Sequence, residues 1–192
     1  MTTGSLLLFP ADPDADPPAG EAVCATLGVL GLVGAALPEP ATFLPGPEFA
    51  RHVVFAGCSP HLVLEPPADG GAYSHVRVHG PHAAPRLLAG DNATAPRCPA
   101  CRARLDDWRA QLAAWRADPA VPVACVACGR THPASRLDWR ASAAVGRLFV
   151  EIGNVFPGEA VPGETLLAAL GALGGGAWRH AWVRGEAWRA AT

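Results

Sequence analysis

Two C-x-x-C pairs oblige two distant turns of this chain to meet. Cys98-Pro-Ala-Cys101 and Cys125-Val-Ala-Cys128-Gly129 each set two thiols two residues apart, and 23 residues separate the pairs. Two intervening residues let one tight turn offer both sulfurs to a single ion about 2.3 Å away, and a second such turn completes a tetrahedron. Pro99 stiffens the first turn, while Gly129 permits the positive φ that its partner turn needs. The spacing predicts one structural zinc bound by Cys98, Cys101, Cys125 and Cys128. With four protein ligands such a site has no open position and activates no water. It supplies folding energy to a segment with few apolar residues of its own. Other fates of the same thiols stay chemically open. Iron accepts the same four thiolates, one C-x-x-C at a helix start is a redox pair, and paired disulfides suit a secreted chain.

The two turns resemble the paired knuckles of zinc-ribbon proteins, whose pattern is C-P-x-C followed by C-x-x-C-G. The resemblance covers residues 97–130. It implies a metal site but no particular function, because ribbons occur in polymerase subunits, ribosomal proteins, enzymes and adaptors. The spacer is longer than the usual one of roughly 15–20 residues. A helix from Arg102 to Ala117, with Leu105, Trp108, Leu112 and Trp115 on one face, accounts for the excess. That helix departs from a plain ribbon and leaves a treble-clef-like arrangement open.

Elsewhere 21 Gly and 20 Pro in 192 residues favour short elements joined by turns. Half the residues are hydrophobic and 17% are charged, which excludes a disordered chain. The length suits one domain with a small appendage. Patterning predicts strands at Ser5–Phe9, Arg51–Ala56, His61–Glu65, Tyr73–His79, Gly146–Phe156 and Ala177–Arg184. It predicts helices over Gly20–Leu30 and Glu164–Leu173, with Pro38–Pro47 and Pro81–Pro96 left irregular. The fold class is therefore α+β, a small antiparallel sheet with helices, open to a ferredoxin-like sandwich of two β-α-β units. Residues 1–95 and 136–192 together form this body, and 96–135 an inserted zinc-binding module whose removal should leave the body folded.

All 15 basic residues are Arg, as expected from the coding bias of a GC-rich, bacterial genome, and Schiff-base lysine chemistry is closed. The net charge of −2 conceals an uneven distribution, with nine Arg against four acids between Arg97 and Arg147. The first ten residues lack a positively charged leader, and the uncharged run Ala22–Leu37 is short of the roughly 20 residues that span a bilayer. A cytoplasmic chain with no membrane partner is expected.

Cys58 and His61 form the best nucleophile–base pair, although no oxyanion-hole motif or third orienting residue accompanies them. His75, His79 and His82 invite a second metal. On a strand, however, His75 and His79 stand about 13 Å apart, beyond the reach of one ion. They are expected to face solvent or a partner. Cys24 reads as core, and Glu151 as a carboxylate whose direction depends on strand register. The functional expectation is a non-catalytic zinc-binding protein whose insert binds another protein. One alternative is nucleic-acid binding through Arg97, Arg102, Arg104, Arg109, Arg116 and Arg130. Against strong affinity, the predicted helix spreads its Arg around the cylinder and places Asp106 and Asp107 among them. The other is an enzyme with a site near Cys58 and His61 and a purely structural zinc.

Overall fold

A computed structural model describes residues 4–56 and 62–185, so the pair Cys58 and His61 lies outside the described residues. In chain order the first half comprises β1 (Gly4–Pro10), α1 (Gly20–Val29), β2 (Val33–Ala36), β3 (Thr42–Pro45), α2 (Phe49–His52), β4 (Val53–Phe55), β5 (His75–His79) and β6 (Arg86–Ala89). The second comprises α3 (Trp108–Ala117), β7 (Pro122–Ala124), β8 (Thr131–Pro133), β9 (Ala143–Gly146), β10 (Phe149–Val155), β11 (Ala160–Pro162), α4 (Glu164–Ala172) and β12 (Trp178–Arg184).

A six-stranded sheet in the order β12-β1-β10-β5-β3-β2 organises the body, and each neighbouring pair is antiparallel. The apolar run of β1 is buried on both faces, which places it inside the sheet. Because β1 and β5 both oppose β10, the segment β1-α1-β5 is a split crossover around β10. By the same logic β10-α4-β12 crosses around β1. These are the two β-α-β units expected from the order of segments, compatible with a ferredoxin-like sandwich and extended at the β5 edge by the β2–β3 hairpin. α1 ends where Gly31 takes φ +67° and the Leu32 N–H donates to the Leu27 carbonyl at 3.0 Å.

Side-chain alternation gives β1 two cores. Leu6 and Leu8 pack with Val23 and Leu27 of α1, Leu166 and Leu170 of α4, and Val76, Val150 and Ile152 of the sheet. Leu7 and Phe9 face the opposite way and pack with Phe149, Ala181, Val183, Leu88 and Ala144. The last two belong to a separate β6–β9 ribbon laid on that second face. Its outer side carries Leu87, Ala89, Ala143 and Val145, which join Trp108, Trp115, Trp139 and Val123 in a third core. The ribbon is thus the layer between the sheet and the cysteine-bearing segment.

Several expectations change. Pro38–Pro47 is not wholly irregular, because β3 fits between Pro40 and a terminal Pro45 near the sheet edge, where proline costs least. Arg51–Ala56 begins as the last residues of α2, and its strand β4 pairs with β11. Residues 62–65 form no strand. Pro81–Pro96 contains β6, found through its partner 54 to 60 residues away at β9. The helix predicted from Arg102 starts at Trp108.

Candidate metal centre

The four cysteines sit at the tips of two matching turns. In the first, the Cys98 N–H donates to the Ala103 carbonyl and the Arg102 N–H to the Cys98 carbonyl, both at 2.9 Å. In the second, the Cys125 N–H donates to the Arg130 carbonyl at 2.9 Å and the Gly129 N–H to the Cys125 carbonyl at 2.8 Å. The fifth residue of each turn is left-handed, Arg102 at φ +65° and Gly129 at φ +68°. This left-handed residue ends the first knuckle and sends the chain back to bridge Arg97 with Arg104, so Arg102–Asp107 belongs to the turn and not to α3. The second knuckle caps the β7–β8 hairpin.

All four sulfurs lie within 4.8 Å of one another, and among the described residues no other group of three or more His, Cys, Asp or Glu side chains is so placed. Two contacts cross between knuckles, Cys98 to Cys128 at 3.8 Å and Cys101 to Cys125 at 3.6 Å. A tetrahedron with metal–sulfur bonds of about 2.3 Å has edges of about 3.8 Å. A disulfide would need sulfurs about 2.05 Å apart, and the four thiols are free. The donor set and its separations fit one tetrahedral thiolate-bound ion. Cys98 and Cys125 are buried, whereas Cys101 and Cys128 face outward.

Backbone N–H groups tune the thiols. Hydrogen bonding from Cys101 first, then from Ala100, outweighs desolvation and brings the Cys98 thiol down to about 6. At Cys101 the Ala103 N–H favours the thiolate, but desolvation and the contacts with Cys128, Cys125 and Cys98 prevail and push it up to about 11. Clustered thiols give up their protons unequally, and N–H···S donors are the supports that hold ligating thiolates in orientation.

Behind the knuckles, Trp139 receives Trp108 and Trp115 edge-on, at centroid distances of 5.8 and 6.1 Å and interplanar angles of 79° and 77°. Trp108 and Trp115 were legible as the buried face of α3, but Trp139 was not. The ends of the segment are tied where Arg97 and Asp138 exchange backbone hydrogen bonds at 2.9 and 3.0 Å. Many of its Arg are engaged. Arg102 pairs with Asp138 at 2.5 Å, Arg116 donates to the Ala89 carbonyl, and Arg109 lies 4.6 Å above the Trp108 ring. Arg136 reaches Asp12 at 3.0 Å and also Asp14, while Arg147 stands 3.6 Å from Asp16.

The remaining candidates fall elsewhere. The side chain of Cys24 is partly buried against the α1–α4 core, where burial raises its thiol. The histidines are not simply solvated. His79 Nε2 lies 2.8 Å from Glu151, and His75 donates through Nδ1 to the Tyr73 carbonyl at 3.1 Å. His82 packs beside Phe149 at a centroid distance of 6.3 Å. Glu151 turns to the second sheet face, where Ser5 donates to it at 2.6 Å. No helix among the described residues is long and apolar enough to cross a membrane. No family model, curated protein or solved structure matches the chain.

Proposed function

We propose that the chain is a non-catalytic, cytoplasmic protein whose Cys98, Cys101, Cys125 and Cys128 hold one structural zinc, and whose zinc-bearing segment binds another protein. Four thiolates in a tetrahedral set suit zinc and leave no coordination position for substrate. The observation that carries the binding role is a groove of about 570 Å³ beside the second knuckle. Leu105, Trp108, Gln111, Val123 and Val126 are among the residues that line it. Val126, at the knuckle tip, is 101% exposed. An apolar side chain held fully in water by a rigid turn is suited to a partner's pocket. The engaged state of Arg102, Arg109 and Arg116 favours this reading over nucleic-acid binding, because each already has a carboxylate, carbonyl or ring.

The test is a metal analysis followed by in-cell crosslinking from a photoreactive residue at position 126. One zinc per chain and one recurrent protein adduct, lost when Leu105→Asp closes the groove to apolar side chains, are the expected results. Retention on DNA that is steeply salt-dependent, with no protein adduct, would replace this reading with the nucleic-acid one.

A further inference from the structure

We propose that the polar half of the second sheet face, around Arg77 and His75, binds a tetrahedral oxyanion of the phosphate type. This site is separate from the metal centre and does not rest on the protein-binding reading.

The β6–β9 ribbon covers the part of this face built by Leu7, Phe9, Ala181 and Val183. Towards β5 the face changes character. Register places Glu151 directly opposite Arg77, with Thr42 on Arg77's other side. An Arg and a Glu facing each other across strands ordinarily form an ion pair. Here they do not. The Arg77 Nε donates to Thr42 Oγ1 at 2.8 Å, and Thr42, 2% exposed, donates in turn to the Pro40 carbonyl at 2.9 Å. Glu151 is satisfied without Arg77, by Ser5 at 2.6 Å and His79 at 2.8 Å. Its carboxyl is driven up by burial, but the hydrogen bonds from His79 and Ser5 and the charges of His79 and His75 hold it below its ordinary value.

This leaves a half-buried guanidinium anchored through one nitrogen, its two terminal nitrogens without a hydrogen-bonding partner among the described residues. An unpaired, partly desolvated charge is costly unless a counter-ion arrives. Beside it, two residues along the same strand face and about 7 Å away, His75 is fixed through Nδ1, which leaves Nε2 for a ligand. Its ring lies on Gly153, where a Cβ would come within 2.4 Å of it. Arg86 and His79 both bear electrostatically on His82 at this edge, and each adds positive charge to the surroundings. A guanidinium fork takes two oxygens of an oxyanion. With Nδ1 donating to Tyr73, His75 supplies the third donor through Nε2 in its imidazolium form, an arrangement that suits a tetrahedral group better than a planar carboxylate.

Isothermal titration of the intact, metal-loaded protein with inorganic phosphate, sulfate and acetate tests the proposal. One saturable site for phosphate and sulfate, with acetate weaker, is expected. Arg77→Gln should weaken phosphate by about tenfold or more, since it removes two charge-assisted hydrogen bonds. Arg77→Lys, which keeps the charge and loses the fork, should fall between them and reads the same effect if the Gln variant fails to fold. Arg140→Gln, exposed in the loop between the metal-bearing segment and β9, should leave the affinity unchanged. Absence of saturable phosphate binding, or equal binding by wild type and both Arg77 variants, overturns the site.

Discussion

Arg102 and Gly129 hold equivalent left-handed positions in the two knuckles, yet only one is a glycine. A left-handed backbone costs an ordinary residue about 1–2 kcal/mol, and an exposed ion pair such as Arg102–Asp138 returns about 0–1 kcal/mol. Arg102→Gly should therefore raise the melting temperature or leave it unchanged, with metal content intact. Gly129→Val puts a β-branched side chain at φ +68° and should lose about 1–2 kcal/mol and release metal at lower chelator concentration. Equal behaviour of the two variants would refute the equivalence of the turns. Gly153 is constrained differently, by the His75 ring and not by its own φ. Gly153→Ala should cost about 1–3 kcal/mol in denaturant unfolding, because the imidazole must leave its seat.

At the scale of elements, the three-tryptophan stack joins the metal-bearing segment to the β6–β9 ribbon. Trp139 is 2% exposed and touches both Trp108 and Trp115, so Trp139→Ala should cost about 3–5 kcal/mol in urea unfolding. A loss below about 1 kcal/mol would mean that the stack does not hold the layers together. The strands also carry a pH response. Burial first, then the charges of Arg86 and His79, lowers His82 below the ordinary value of 6.5. Burial and Arg179 lower His180 on β12 likewise. A histidine depressed in the folded state takes its proton more readily once unfolded, so its contribution is full above pH 6.5 and is lost as pH falls through the folded value. The depressed Glu151 carboxyl adds a second loss below its ordinary 4.5. Melting temperature should be flat above neutrality and decline from about pH 6.5 downward. His180→Gln should make the first part of that decline shallower, and an unchanged slope would remove His180 from the account.

In the whole molecule, the uneven charge of the chain is partly settled within it. The acidic loop Asp12–Asp16 receives Arg136 and Arg147, which flank the ribbon strand β9 and tie the segment around the cysteines to the body. Because the sheet has its own core with α1 and α4, removing metal should affect the layers unequally. Chelation of the reduced protein should abolish the near-ultraviolet signal of Trp108, Trp115 and Trp139 and admit protease at residues 97–135, while most far-ultraviolet signal persists. Simultaneous loss of both signals would show one cooperative unit extending through all three layers.

The two knuckles, β1, α1, β5, β10, α4 and β12 were legible in the amino-acid order, because each depends on neighbours: a turn two residues wide, an apolar period, a glycine at the end of a helix. The true start of α3 was hidden by Arg102, whose left-handed backbone no Arg announces. β6 and β9 were hidden because the Ala-rich β9 has little strand character until it finds β6. The same holds for β11, three residues long and ordered by pairing with β4, whereas β4 itself falls within the strand expected at Arg51–Ala56. Ser5 meets Glu151 across 146 residues of chain, and Arg77 passes over the carboxylate opposite it to take Thr42. Local backbone chemistry is written residue by residue, so the metal-binding turns could be read directly. Which ladder a strand joins, and which counter-charge a buried side chain accepts, is chosen only when burial forces distant polar groups to find partners.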